Sequence, residues 1–199
     1  ELTEITAARS GNDNGKAYFE ALFATCASLL QLIVRNPKPV IAEVTGVATA
    51  AGCQLVASCD LAMAADSALF ATPGVNIGLF CSTPMVALSR NVANKQAMEM
   101  LLTGDMISAQ KAQQIGLINQ AISPEELTEQ TMAMATKIAA KSTMTIAVGK
   151  RAFYEQAEMP LEDAYNYASQ VMVGNMLKHD AEEGIGAFIG KRSPEWQDR

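Results

Sequence analysis

A run of very small side chains constrains this chain more than any other feature. It reads Thr45-Gly46-Val47-Ala48-Thr49-Ala50-Ala51-Gly52-Cys53-Gln54-Leu55 and is closed by Cys59-Asp60. The β-branched segment Pro39-Val40-Ile41-Ala42-Glu43-Val44 precedes it, and an apolar pattern of helical spacing follows. A strand that enters such a turn and leaves it as a helix carries unpaired N–H groups at the helix start. These can receive an anion or a developing oxyanion. Taken alone, the small residues are better explained by close packing of helix on strand.

The chain has 199 residues, enough for one sizeable core, and no Pro/Ser-rich linker divides it. Apolar residues make up 49% and charged residues 18%, a globular balance. A net charge of -6 excludes a general nucleic-acid binder, although local basic residues can still meet phosphates. No apolar run is read as reaching membrane-spanning length, and no signal-peptide pattern opens the chain. Cys26, Cys53, Cys59 and Cys81 show no C-x-x-C spacing and share the chain with one histidine, His179. The expectation is no metal, with free thiols in a reducing compartment. The eleven methionines read as core filling.

The first sixteen residues, ending in Gly11-Asn12-Asp13-Asn14-Gly15, read as a loop. Tyr18, Leu22, Cys26, Leu29 and Ile33 recur at helical spacing and predict a helix over residues 17–35. Pro37 and Pro39 end it and open a strand over 40–44. A helix near Ala51 and a strand over 61–65 follow, then a loop over 70–82. Helices are expected over 83–90, 95–102 and 108–115, and a strand over 117–122. Ser123-Pro124-Glu125-Glu126 marks a helix start, with serine capping and proline in the first turn. Helices then fill most of 125–191, with breaks near Lys141 and Met159-Pro160. Strands alternating with helices, then helices alone, give an α/β core with a helical C-terminal region, divided as residues 1–122 and 123–199 of one continuous fold.

The small-residue turn resembles the central motif of the crotonase (enoyl-CoA hydratase/isomerase) superfamily. A second match strengthens this: Glu99-Met100-Leu101-Leu102-Thr103-Gly104-Asp105, Ile107-Ser108-Ala109-Gln110 and Gly116-Leu117-Ile118. The C-terminal Gly184-Ile185-Gly186-Ala187-Phe188 with Lys191-Arg192 is similar to the family's last helix and tail. Ala48–Leu55 and Gly78-Leu79-Phe80-Cys81-Ser82-Thr83-Pro84 look closest to the subgroup of enoyl-CoA hydratase domain-containing protein three. The resemblance implies a ClpP/crotonase-like spiral of ββα units with a C-terminal trimerisation region. It also implies that the N-terminal strands of the fold are absent from this chain, Glu1-Leu2-Thr3-Glu4 standing just after the segment that supplies the first oxyanion N–H.

By position in the motif, the resemblance makes the N–H of Ala51 an oxyanion donor, with Ala48, Ala50 and Gly52 lining the substrate. Family hydratases carry glutamates where this chain has Gln54 and Gly74. Glutamine holds a water without accepting its proton, and glycine offers no side chain. A glycine at residue 74 also leaves room for a bound anion in some relatives, and a positive φ there would strain any substituent. Cys81 lies in the loop that supplies extra catalytic groups in some crotonases, but a packing role is the stronger reading. Asp60 reads as a backbone cap and His179 as a solvated residue. Phe188, Lys191 and Arg192 stand where family tails meet the coenzyme A of a neighbouring subunit.

The implied function is acyl-CoA thioester binding in fatty-acid metabolism, nominally lyase-type, with hydratase activity absent or weak. CoA thioester is the ligand, and no other cofactor is implied. The alternatives are an isomerase, thioesterase or decarboxylase with an unusual base, and a structural or regulatory subunit. The resemblance further implies a homotrimer or dimer of trimers. It places the protein in the cytoplasm of a bacterium or the mitochondrial matrix of a eukaryote.

Overall fold

The computed structural model describes residues 2–199; Glu1 lies outside the described residues. Polar residues 1–16 do not form the expected loop throughout, because helix α1 (Leu2–Ala8) occupies the first part. Residues 9–15 then turn the chain into α2 (Lys16–Arg35). There Asp13 accepts the N–H groups of Gly15 and Ala17 at 3.0 and 2.8 Å. Gly15 has φ 83°, and a Cβ on it would sit 2.9 Å from the Phe19 ring, so glycine is needed twice over. The inner stripe of α2 runs through Tyr18, Leu22, Cys26, Leu30 and Ile33, whereas Leu29 and Leu32 face outward. Against the sequence expectation, α2 is long and apolar enough, by length and composition, to cross a membrane.

Six short strands follow: β1 (Ile41–Val44), β2 (Val47–Thr49), β3 (Leu61–Ala65), β4 (Leu69–Ala71), β5 (Ile107–Ser108) and β6 (Gln120–Ile122). Among the described residues they form two three-stranded sheets. β1-β3-β6 is wholly parallel, with Ala42 opposite Ala62 and Ala64 opposite Ala121. In the second sheet β2 pairs parallel with β4, and β4 antiparallel with β5. The expected strand over 61–65 is found, and that over 117–122 shrinks to its last three residues. The expected loop over 70–82 begins inside β4 and contains a 3₁₀ turn, Pro73–Ile77.

Between and after the strands run α3 (Ala51–Ser58), α4 (Pro84–Asn91), α5 (Asn94–Thr103) and α6 (Ala109–Gln114), each close to its expected span. The core lies on both faces of β3, where Ala62, Met63, Ala64 and Ala65 meet Phe70, Leu88, Met100, Leu117 and Leu127. Alanine dominates there, which lets helices approach the sheets closely.

Four helices complete the chain: α7 (Pro124–Ala139), α8 (Thr143–Gln156), α9 (Leu161–Met176) and α10 (His179–Ile189). Ser123 does not cap α7 through its hydroxyl, which instead donates to Glu126 at 3.3 Å. A break at Leu177-Lys178 joins the two expected ones. Asp60, beyond capping the N–H of Val40 at 2.7 Å, takes Lys150 Nζ at 2.7 Å and the Tyr154 hydroxyl at 3.0 Å. Lys150 also donates to the carbonyls of Ile33 and Lys38, so one ammonium from α8 ties α2, the linker and the end of α3 together.

The C-terminal tail folds back on α10. Asp180 accepts the N–H groups of Gln197 and Asp198, and Glu183 accepts that of Glu195. Glu183 also holds Arg192 through its two terminal guanidinium nitrogens, at 2.5 and 2.7 Å. Trp196, the single tryptophan, donates to the Ala140 carbonyl and lies over Gly184. His179 is less exposed than the sequence suggests: its Nδ1 is buried, 3.6 Å from Asp180 Oδ1. The Arg192 hydrogen bonds lower the Glu183 pKa to about 2, and the Ser142 hydroxyl foremost lowers that of Asp180. A depressed folded-state pKa means this clamp is fully effective above the ordinary carboxylate range and weakens as pH falls toward 2. Trp196 fluorescence should therefore hold from neutral pH to ~4 and change between ~4 and ~2. Glu183→Gln should remove part of that acid transition. A flat signal down to pH 2 would contradict it.

Candidate functional site

Parallel pairing of β2 with β4 sets Thr49 opposite Ala71. The turn into α3 and the loop after β4 therefore leave the same end of the sheet side by side. Crevices at the carboxyl ends of parallel strands are where open α/β sheets bind ligands.

The turn is built on Ala50. Its N–H donates to the Ala71 carbonyl at 3.0 Å, and its own carbonyl takes the N–H of Gln54, the first bond of the α3 ladder. This leaves the N–H of Ala51 without an acceptor among the described residues, at the exposed first position of α3. Ala51 has the helical backbone expected of it. The departure falls one residue earlier: Ala50 has φ 48° and ψ -113°, a conformation suited to glycine. Ala48 is buried in β2, and a Cβ on Gly52 would meet nothing within 4 Å.

Gln54 is 7% exposed, and its side-chain amide has no hydrogen-bond partner among the described residues. Gly74 lies in the 3₁₀ turn without a positive φ, so backbone strain is not what restricts it. Crowding is. A Cβ there would come within 2.8 Å of both Cys81 Sγ and the Leu79 carbonyl. The position that a Cβ would take on this glycine is thus already filled.

Cys81 is buried, and its Sγ accepts the Gly74 N–H at 3.3 Å. Burial, with the Cys81 thiol nearby, pushes the neighbouring Cys53 thiol up to about 12, far from a thiolate at neutral pH. Thr72, between the turn and Gly74, is fully buried with an unpartnered hydroxyl, a feature with no signature in the sequence.

Phe188 and Lys191 are exposed at the far end of the chain, on and just after α10. The tail that follows bonds to Ala140, Thr143, Asp180 and Glu183 rather than to the turn. Arg192 is committed to Glu183, whereas Lys191 and Arg199 have no ion pair among the described residues. A cavity of about 330 Å³ lined by Pro37, Lys38, Ile41, Ile138 and Ile146 includes no residue of the turn.

The sequence pattern of the family described as enoyl-CoA hydratase/isomerase matches residues 8–199. The mitochondrial enoyl-CoA hydratase domain-containing protein 3 of Rattus norvegicus is 51% identical over 196 residues, 98% of this chain and 64% of that protein. Its Homo sapiens counterpart is 50% identical over the same length, covering 98% and 63%. The chain thus spans just under two thirds of these relatives. The crystal structure of the human protein superposes with a TM-score of 0.90 at 50% identity, over 96% of this chain and 75% of that one. An enoyl-CoA hydratase structure from Mycobacterium smegmatis gives 0.89 at 52%, over 90% and 70%.

Proposed function

The chain belongs to the enoyl-CoA hydratase/isomerase family, in the subgroup of enoyl-CoA hydratase domain-containing protein 3, and from that premise we propose that it binds acyl-CoA thioesters at the turn. The thioester oxygen accepts the N–H of Ala51. The observation that carries this reading is that N–H, exposed and without an acceptor at the start of α3. Gln54 stands beside it as a neutral hydrogen-bonding group that orients a water or the ligand. Neither Gln54 nor Gly74 transfers a proton, so hydration of an enoyl thioester is absent or weak. Both nearby thiols are buried, one of them bonded to a backbone N–H, which disfavours a cysteine base.

Ala51→Pro tests the binding mode. Proline is accommodated at the first helical position and deletes the N–H, but its ring also restricts Ala50 before it, so circular dichroism must show the variant folded. Calorimetric titration of the full-length variant with butyryl-CoA should show affinity reduced ~10-fold, the scale of one net hydrogen bond. Unchanged affinity in a folded variant would sink the proposal.

The protein associates with copies of itself through its C-terminal helices. Met172, Met176, Ile185 and Phe188 leave an apolar face on α9 and α10 that is large for a monomer. Sedimentation at micromolar concentration should give a trimer or hexamer; monomer alone would count against this.

A further inference from the structure

We infer that Cys81 is a positioning residue of the ligand site, its thiol holding Gly74 closed and thereby fixing Leu79 and Phe80 as an apolar wall for the acyl chain. The inference rests on the acyl-CoA reading above and deepens it. Residues 74–81 form a closed ring. The Gly74 N–H donates to Cys81 Sγ, and the Leu79 N–H returns to the Gly74 carbonyl at 2.9 Å. The Cys81 carbonyl then takes the N–H of Met85 at 2.9 Å, which carries the loop into α4.

The other side of the loop is also held. At the end of α5, Gly104 comes so close that a Cβ on it would lie 2.9 Å from Asn76 and 3.1 Å from Pro73 and Val75. Despite this anchoring, Leu79 and Phe80 remain 53% and 42% exposed. A loop braced at both ends that still offers large apolar side chains is organised to meet an apolar ligand. Only Thr72 and Pro73 separate it from Ala71, whose carbonyl supports the oxyanion turn. A thioester on the Ala51 N–H therefore directs its acyl chain along this wall.

The thiol does two jobs that other side chains divide. Alanine at residue 81 loses the acceptor and the volume, whereas serine keeps an acceptor in a smaller atom. Free CoA, butyryl-CoA and decanoyl-CoA titrated against the full-length protein separate these effects. Cys81→Ala should lower decanoyl-CoA affinity ~10-fold relative to butyryl-CoA and leave free CoA unchanged, with Cys81→Ser intermediate. Gly74→Ala forces the same shift from the other side, so Cys81→Ala should partly rescue it; this pair carries the test if either single variant folds poorly. Equal losses on all three ligands, or none, would overturn the inference and leave the acyl-CoA reading standing. No acyl-CoA binding by the unaltered protein would overturn both.

Discussion

Lys150→Met is expected to destabilise the fold by about 3–5 kcal/mol, because it leaves the Asp60 carboxylate without its counter-charge in a nearly closed site. The Lys150 side chain is 7% exposed and that of Asp60 15%, so water screens neither well. Lys150 also satisfies two carbonyls at once, those of Ile33 and Lys38. Burial, with the Asp60 charge, pushes the Tyr154 hydroxyl up, so it stays protonated as a donor to Asp60. For a chain of this size the melting temperature should fall by ~6–20 °C. Replacing both ionic partners with apolar residues should cost less than the single change. A loss under ~1 kcal/mol in the single variant would show the pair to be no stronger than a surface bridge.

Crotonyl-CoA hydration should fall far below the ~1–10³ per second of ordinary enzymes. Each missing acid–base group is worth ~10²–10⁴ in rate, and the two groups serve one water, so the losses are coupled. Restoring both carboxyls through Gln54→Glu and Gly74→Glu should raise the rate more than either change alone. The crowding at Gly74 adds a condition. Its new Cβ collides with Cys81 Sγ and with the Leu79 carbonyl, so the double variant should also melt earlier. Adding Cys81→Gly should relieve part of that collision and increase the gain. Rapid hydration by the unaltered full-length protein would refute this reading of Gln54 and Gly74.

Elements with a long period or a chemical punctuation mark were legible in the sequence. The α2 helix emerged from its three- and four-residue apolar spacing, and α7 from Ser123-Pro124. The strand β3 was legible because five apolar residues stand between two polar boundaries. Strands β2, β4 and β5 were not, since two or three residues carry no periodicity and their existence depends on distant partners. The site divides the same way. Its turn and its two non-acidic positions were visible as residue types, but what surrounds them was not. The Cys81–Gly74 contact, the orphaned Thr72 hydroxyl and the reach of Lys150 to Asp60 are tertiary facts. So is the engagement of Arg192 with Glu183, which occupies a cation that the family resemblance had offered to the ligand.

Ala50 gives the turn a mechanical character. A backbone held at φ 48° on a residue with a Cβ stores ~1–3 kcal/mol, and the surrounding structure must supply the restraint. One restraint is its carbonyl's bond from the Gln54 N–H, and the other is the bond from its own N–H to Ala71 on β4. Should that short strand fray, the alanine relaxes to negative φ and the Ala51 N–H swings off its line. The proposed thioester site is then lost in a local opening that leaves the alanine-rich core intact. Ligand occupancy and the integrity of a three-residue strand become one equilibrium, and the exchange rate of the Ala50 amide proton is where it is read.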